Sequence, residues 1–381
     1  MSTIKVNKIE NTSTTDGGIS IDNAGHVQID GQQLPTAGAL SHRNLVMNGA
    51  MQVAQRTTSA TGVTTTGYKS VDRFKANISA MGTYTISQST DAPDGFSNSL
   101  KYEVTTADAS PAASDQVAAE YRVEAQDLQH LNYGSSSAKS LTLSFWVKSD
   151  VTGTYSNEFM QADNSSKHYS FSYTINTADT WEHKTVTVEG DTSGVINNDF
   201  GEGLLIKWWL GAGSNFTSGT YSTGSWAART AANAVSSSSP NFASTVGNEW
   251  YITGVQLEVG SVATPFEHRS FGEELARCYR YFQKSYSYGT AVGANTTDGR
   301  YYFLIGTTSD AANKGGSVYL GTNMRVAPTT NFYNDAGTQG VIQIPASTVT
   351  PLLLKTGVIA IYVGNTTSRE VAGAWTADAE F

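Results

Sequence analysis

Six histidines are spread along the chain, at His26, His42, His130, His168, His183 and His268. None stands in the HxH or HxxxH spacing that would put two imidazoles on one metal ion. No GxSxG elbow presents a nucleophilic serine, and no P-loop cradles a phosphate. Gly293-Ala294-Asn295 and Gly315-Gly316-Ser317 read as turn glycines. Cutting a glycosidic bond needs two carboxyls facing it, about 5–9.5 Å apart. Glu182, Glu189, Asp191, Asp199, Glu202 and Asp378 are the candidates, and nothing in their spacing pairs any two of them. The expectation is therefore a protein that binds without catalysis.

Aromatic and amide side chains suggest what it binds. A pyranose ring has an apolar face that stacks on an aromatic ring, while its hydroxyls suit Asn, Gln, Asp and Arg. Two regions carry that mixture. In the polar stretch 211–248, Phe216, Tyr221 and Trp226 stand among Asn215, Ser218, Thr220, Ser225 and Arg229. Near the end, Asn295 to Tyr302 and Asn331-Phe332-Tyr333-Asn334-Asp335 set rings beside amides in turn-like settings. The candidate glycan-binding residues are thus Tyr221, Trp226, Arg229, Tyr301, Tyr302, Tyr333, Asn334 and Asp335, with the C-terminal group favoured. Each has a plainer reading as well. Trp226 could simply pin its loop, and Tyr301 and Tyr302 could be strand residues in an oligomer core. Trp208 and Trp209 are adjacent, so on a strand they face opposite sides; one reads as core and the other as reaching the surface or a partner subunit. Trp146 is out of phase with Leu143 and Phe145, which marks it as interface or outer-layer packing.

The elements that must position these residues are strands. Leu141–Lys148, His168–Ile175 and Trp181–Val188 alternate apolar and polar residues, the pattern of half-buried strands. Leu204–Leu210 is more continuously apolar, as a central strand would be, and Trp250–Val259 is a further long strand. Short turns between many strands predict a jelly-roll β-sandwich over residues 43–268. The irregular 211–248 stretch, too long for a turn, reads as a functional loop or lid. Residues 1–42 hold a hairpin pattern over Gly18–Gly31 with a turn at Asn23-Ala24-Gly25, then a linker over 33–38. A lone hairpin is marginal in water, so this segment reads as an attachment arm. Ser270-Phe271-Gly272-Glu273 is a capping box. Phe271, Leu275, Cys278, Tyr279 and Phe282 share one helical stripe, predicting an amphipathic helix to about Lys284 within a linking segment 269–286. It could pack on its own sandwich or line a three-fold axis. Cys278 in that stripe reads as a core residue rather than a reactive thiol. Residues 287–381 form a C-terminal β domain. Its strands are expected near Tyr301–Ile305, Ser317–Leu320, Gly340–Ile344 and Gly357–Val363, with breaks at Pro328, Pro345 and Pro351. The fold class is all-β.

Composition agrees with that class. Charged residues are 15% of the 381, against roughly 25% in an average domain. Gly, Ser, Thr and Asn fill the deficit, as turns and strands require. The formal charge is −9 and no basic run occurs, so a nucleic-acid partner is not expected. The first residues lack the apolar core of an export signal, and no apolar run of 18 residues predicts membrane insertion.

Several segments resemble one family. Arg43–Arg56, Leu141–Tyr155, Ala178–Trp181 with Gly190–Gly194, Thr253–Gly260 with Ala263–Glu267, and Glu273–Phe282 look like successive blocks of bacteriophage tail-fibre proteins. Met324–Thr329 and Trp375–Phe381 resemble the terminal domain of the same proteins. Thr253–Gly260 is the strongest of these blocks. The likeness covers most of residues 43–381, and residues 1–42 resemble attachment segments of cyanophage-type fibres. It implies a carbohydrate-binding jelly roll and a homotrimeric fibre in the virion. It also implies docking to a phage tail or baseplate protein through residues 1–42, and contact with host surface polysaccharide. Related jelly rolls often hold Ca²⁺; no DxDxDG-type loop occurs, and no ligand residue is assigned. A structural virion spacer and a polysaccharide-degrading tailspike are the alternatives.

Overall fold

A computed structural model describes residues 8–10, 18–21, 27–29, 32–34, 41–163, 167–304, 314–342, 347–348, 350–363 and 370–381. The fold is all-β. Four short strands form a separate antiparallel sheet: β1 (Lys8–Glu10), β2 (Gly18–Ile21), β3 (Val27–Ile29) and β4 (Gln32–Gln33). The expected hairpin is β2 with β3, paired Ile19 to Ile29 and Ile21 to Val27. Its turn, and Pro35–Gly38 of the expected linker, lie outside the described residues.

The sandwich holds β5 (Ser59–Tyr68), β6 (Phe74–Ser89), β7 (Ser99–Thr106), β8 (Gln116–Glu124), β9 (Leu141–Ser149), β10 (Gly153–Gln161), β11 (Lys167–Ile175), β12 (Glu182–Val188), β13 (Glu202–Ala212), β14 (Trp226–Ala228) and β15 (Glu249–Val259). They form one curled sheet in the order β12-β9-β15-β7-β6-β8-β13-β10-β11-β14, with β5 beside β6. The curl comes from β6. Its first half pairs with β8 and its second half with β7. Between the halves, Ala80 (φ 52°) and Gly82 (φ 73°) turn the backbone. A Cβ at Gly82 would come within 2.7 Å of the Thr106 carbonyl oxygen, so glycine suits both the conformation and the space. One strand thus belongs to two half-sheets that face each other.

Alternation decides what lies between them. Leu141, Leu143, Phe145 and Val147 of β9 meet Tyr155, Phe159, Phe171, Tyr173 and Trp208 from the other half in one core. Phe145 packs edge-on against Tyr173 and Trp208, at 5.3 and 5.9 Å between ring centroids. Trp250 donates from Nε1 to the Tyr173 hydroxyl at 3.0 Å, which satisfies both polar ends inside the core.

The expected helix is shorter than its apolar stripe. It runs Phe271–Cys278, with the Ser270 hydroxyl accepting from the Glu273 amide at 3.3 Å as the capping box requires. Instead of continuing to Lys284, the chain turns and forms β16 (Phe282–Lys284). The helix packs on its own sandwich: Cys278 is buried, and Glu274 accepts from the Asn48 amide at 2.5 Å.

The C-terminal region contains β17 (Tyr301–Leu304), β18 (Lys314–Tyr319), β19 (Thr329–Tyr333), β20 (Val341–Ile342), β21 (Ser347–Thr348), β22 (Thr350–Lys355), β23 (Val358–Val363) and β24 (Glu370–Asp378). β24 is its hub, pairing with β16, β17 and β19. Pro351 lies inside β22 rather than at a break. Among the described residues, β22 pairs only with β23 and its register shifts at Pro351, the edge and bulge setting in which proline fits a strand. Ile305, Gln343, Ile344 and Pro345 lie outside the described residues.

Residues after β24 close onto the sandwich. Arg73, buried at the start of β6, pairs with Glu380 and lies 3.3 Å over the Tyr281 ring. Arg56 reaches Asp378 at 2.8 Å, and Lys75 donates to the Phe381 oxygen at 2.8 Å. Arg280 and Tyr281 both donate to Glu124, at 2.7 and 2.5 Å.

Candidate functional site

The sequence candidates of the 211–248 stretch are all spent on holding that stretch down. The Tyr221 hydroxyl donates to the Phe171 carbonyl at 2.5 Å. Trp226 forms β14, donates from Nε1 to the Glu189 carbonyl at 2.7 Å, and packs edge-on or tilted against Tyr133 and Tyr169. Its contacts fit the plainer reading, a pin for the segment. Arg229 makes two hydrogen bonds, 3.1 and 3.2 Å, to fully buried Glu158. Together they strap residues 213–245 over the outer side of the β8-β13-β10-β11 half-sheet. Trp209, expected at the surface or a partner if not in the core, lies under this strap with Ala118, Ala234, Val235 and Phe216.

Across the outer side of the sheet runs a row of charges, with Glu158 at its strap end. Registered neighbours Lys75, Glu120, Lys207 and Glu158 alternate in sign across β6, β8, β13 and β10. Burial pushes the Glu158 carboxyl up. The hydrogen bonds from His168 and Arg229 outweigh that and hold it below its ordinary value.

The C-terminal candidates are partly brought together. Arg300 donates to Asp335 and, at 3.0 Å, to the Tyr302 hydroxyl. Tyr302 is 54% exposed and Tyr301 39%. Tyr333 is instead buried against Tyr286, and the Asn334 side chain closes its own turn by accepting from the Thr338 amide at 2.8 Å.

Among the described residues, a further array of rings lies on the outer side of the β12-β9-β15-β7 half-sheet, with Trp146 and Trp181 partly exposed and Tyr251 buried among its neighbours. Trp146 and Lys148 point outward from β9 because Phe145 and Val147 point in. Tyr251 does the same on β15 between buried Trp250 and Ile252. Trp181, in the turn before β12, stands edge-on to Tyr251 at 6.1 Å. Its Nε1 donates to Asp91 at 3.0 Å. Lys148 pairs with the same Asp91 and sits 4.4 Å over the Tyr251 ring. Lys101 joins Glu249 at 2.6 Å and Glu103 at 3.0 Å, while the Tyr251 hydroxyl donates to Glu249 at 2.5 Å. Next along the face, Trp146 lies 5.1 Å from the exposed His183 ring. Beyond Trp146, Phe96, Phe266 and His268 form a cluster with centroids 4.9–5.2 Å apart.

Gly254 lets this band close up. At φ +61°, a Cβ there would meet the Phe96 ring at 2.8 Å and the Trp146 ring at 3.0 Å. Charges on the face are compensated. Burial raises the Asp91 carboxyl, but hydrogen bonds from Lys148 and Trp181 hold it below its usual range. Burial likewise raises Glu249, and Lys101 and Tyr251 outweigh it. Partial burial and neighbouring Lys184 push the His183 imidazole below its ordinary range. The result is a face where partly exposed Trp146 and Trp181 lie beside carboxylates and amines, with Trp181 and buried Tyr251 held by hydrogen bonds. Such a surface can stack on the apolar face of a sugar and bond its hydroxyls.

Sequence reasoning flagged Trp146 as an outer-layer residue but missed Trp181, Tyr251, Lys101, Lys148 and Asp91 as a group. The available signal was phase: Tyr251 and Lys148 also fall out of step with their inward neighbours. Among the described residues, no cluster of three or more His, Cys, Asp or Glu side chains could hold a metal ion. No helix among them is long and apolar enough to cross a membrane.

No family model matches the sequence, and no curated protein matches it either. Solved structures similar to it include the enzymatically active domain of bacteriophage CBA120 tailspike protein 4. That match has 15% identity and a TM-score of 0.32, and covers 57% of this chain but only 21% of the tailspike chain. A family 11 carbohydrate-binding module of a Clostridium thermocellum cellulosomal cellulase matches with 12% identity and a TM-score of 0.27, over 55% of this chain and 99% of the module. A xylan-binding domain of the CBM22 type matches with 13% identity and a TM-score of 0.28, over 60% of this chain and 97% of that domain.

Proposed function

We propose that the protein is a carbohydrate-binding subunit of a bacteriophage tail fibre, which attaches the virion to a host surface polysaccharide without cutting it. The aromatic face carrying Trp181, Tyr251 and Trp146 is the observation that supports glycan binding. Trp146 and Trp181 are partly open while Tyr251 is buried beneath Lys148, and a hydrogen bond to Asp91 holds Trp181 in place. Holding them in advance lowers the ordering cost of binding. The tail-fibre assignment rests on the sequence blocks between Arg43 and Phe381. On this reading the chain is a homotrimer, residues 1–42 dock to a tail or baseplate protein, and weak contacts add up across copies.

The test is retention of the purified full chain on susceptible cells and on their extracted polysaccharide. Trp181→Ala should weaken retention about tenfold, the scale of one lost aromatic contact, with an unchanged melting curve. Equal retention of the variant would move the site off this face. Light scattering should give three times the chain mass, and release of reducing ends would replace the binding reading with hydrolysis.

A further inference from the structure

The charges around Trp181 and Tyr251 say which saccharides the face accepts, an inference that rests on the glycan-binding reading above. Two cations and three carboxylates line this part of the face: Lys101 and Lys148 against Asp91, Glu103 and Glu249. Their formal sum is −1. Both lysines are already committed. Lys148 pairs with Asp91 and covers the Tyr251 ring. Lys101 has a carboxylate on either side, Glu103 at 3.0 Å and Glu249 at 2.6 Å. The next pair along the edge, Lys184 with Glu182 at 2.5 Å, is also closed. The His183 ring beside Trp146 is exposed.

We infer that this aromatic face selects uncharged saccharides and excludes uronate- or sulfate-bearing ones. An acidic sugar stacked on Trp181 would bring its anion towards Asp91 and Glu249. To gain a cation it would have to break an ion pair that also orients a ring, since Asp91 holds Trp181 and Glu249 holds Tyr251. A neutral sugar meets no such cost. Its hydroxyls can donate to the carboxylate oxygens and accept from the lysines while the pairs stay closed. The salt bridges thus act as a filter as well as a scaffold, using the excess of one negative charge against the wrong ligand.

Affinity electrophoresis of the full chain tests this with four named polysaccharides: galactomannan and xylan as neutral probes, alginate and polygalacturonate as acidic ones. Each is run in low salt and at about 1 M NaCl, where the screening length falls to roughly 3 Å. Retardation by a neutral polysaccharide, insensitive to salt and weakened about tenfold in Trp181→Ala, is the expected result. Retardation by alginate or polygalacturonate that is lost in salt and in Trp181→Ala would overturn the selectivity while leaving glycan binding at this face intact. No retardation by these four or by the host's own polysaccharide would overturn the glycan-binding reading and this inference with it. A second variant tests the cause. Asp91→Asn with Glu103→Gln leaves two lysines against one carboxylate, and it should acquire salt-sensitive retardation by alginate. A variant that gains none would show that charge does not set the selectivity.

Discussion

Arg73 is the residue on which burial and charge meet most sharply. Its guanidinium is buried, stacked on Tyr281, and paired with Glu380 near the far end of the chain. Such a pair stabilises little over an apolar substitute, but breaking it leaves an uncompensated buried charge. Glu380→Ala should therefore cost about 3–5 kcal/mol, read as a lower denaturant midpoint. A loss below about 1 kcal/mol would mean that Arg73 finds another partner. Gly254 makes a residue-scale prediction of the opposite kind, through space rather than charge. Gly254→Ala forces a Cβ into the Phe96 and Trp146 rings at a positive φ. It should cost about 1–3 kcal/mol and shift the fluorescence of Trp146. An unchanged spectrum would show that the rings are not in contact.

Among the elements, the strap over residues 213–245 is held by one ion pair, one indole and one tyrosine hydroxyl. Glu158 titrates below its ordinary value because His168 and Arg229 bond its charged form. A carboxyl depressed in the folded state contributes its full stability above its unfolded pKa, about 4.3. That contribution is lost as pH falls through the lower folded value. Stability should thus decline as pH drops below about 4, and Glu158→Gln should flatten that acid limb in a denaturation series. An identical limb in the variant would place the acid-sensitive groups elsewhere. The sandwich strands themselves were legible from sequence because one residue in two must face the core; Leu141, Leu143, Phe145 and Val147 announce this plainly. The helix end was not. Its apolar stripe continues through Tyr279 to Phe282, but pairing of Phe282–Lys284 with β24 outcompetes another turn of helix.

For the molecule as a whole, the candidate face was hidden because sheet order, not chain order, assembles it. Asp91, Trp146, Trp181 and Tyr251 are distant in sequence and meet only once β9 lies between β12 and β15. The strap residues misled for the same reason: Trp226 and Arg229 look like loop residues until β11 and β10 are seen beside them. The sandwich and C-terminal region are also coupled more tightly than a linear division suggests. Removing residues 378–381 takes partners from Arg56, Arg73, Lys75 and Arg325 at once. That short deletion should lower the melting temperature of the sandwich itself, checked by following tryptophan fluorescence. A sandwich that melts unchanged would show the two parts to be independent.

Strand β6 has a mechanical consequence. Its backbone runs unbroken through both half-sheets, so tension applied at the ring-paved side passes along covalent bonds to the side where Arg73 anchors the last residues. The load then shears many ladder bonds together instead of peeling one sheet from the other. Pulled in an optical trap, β5 to β15 should give way in a single rip, with no intermediate in which one layer survives alone.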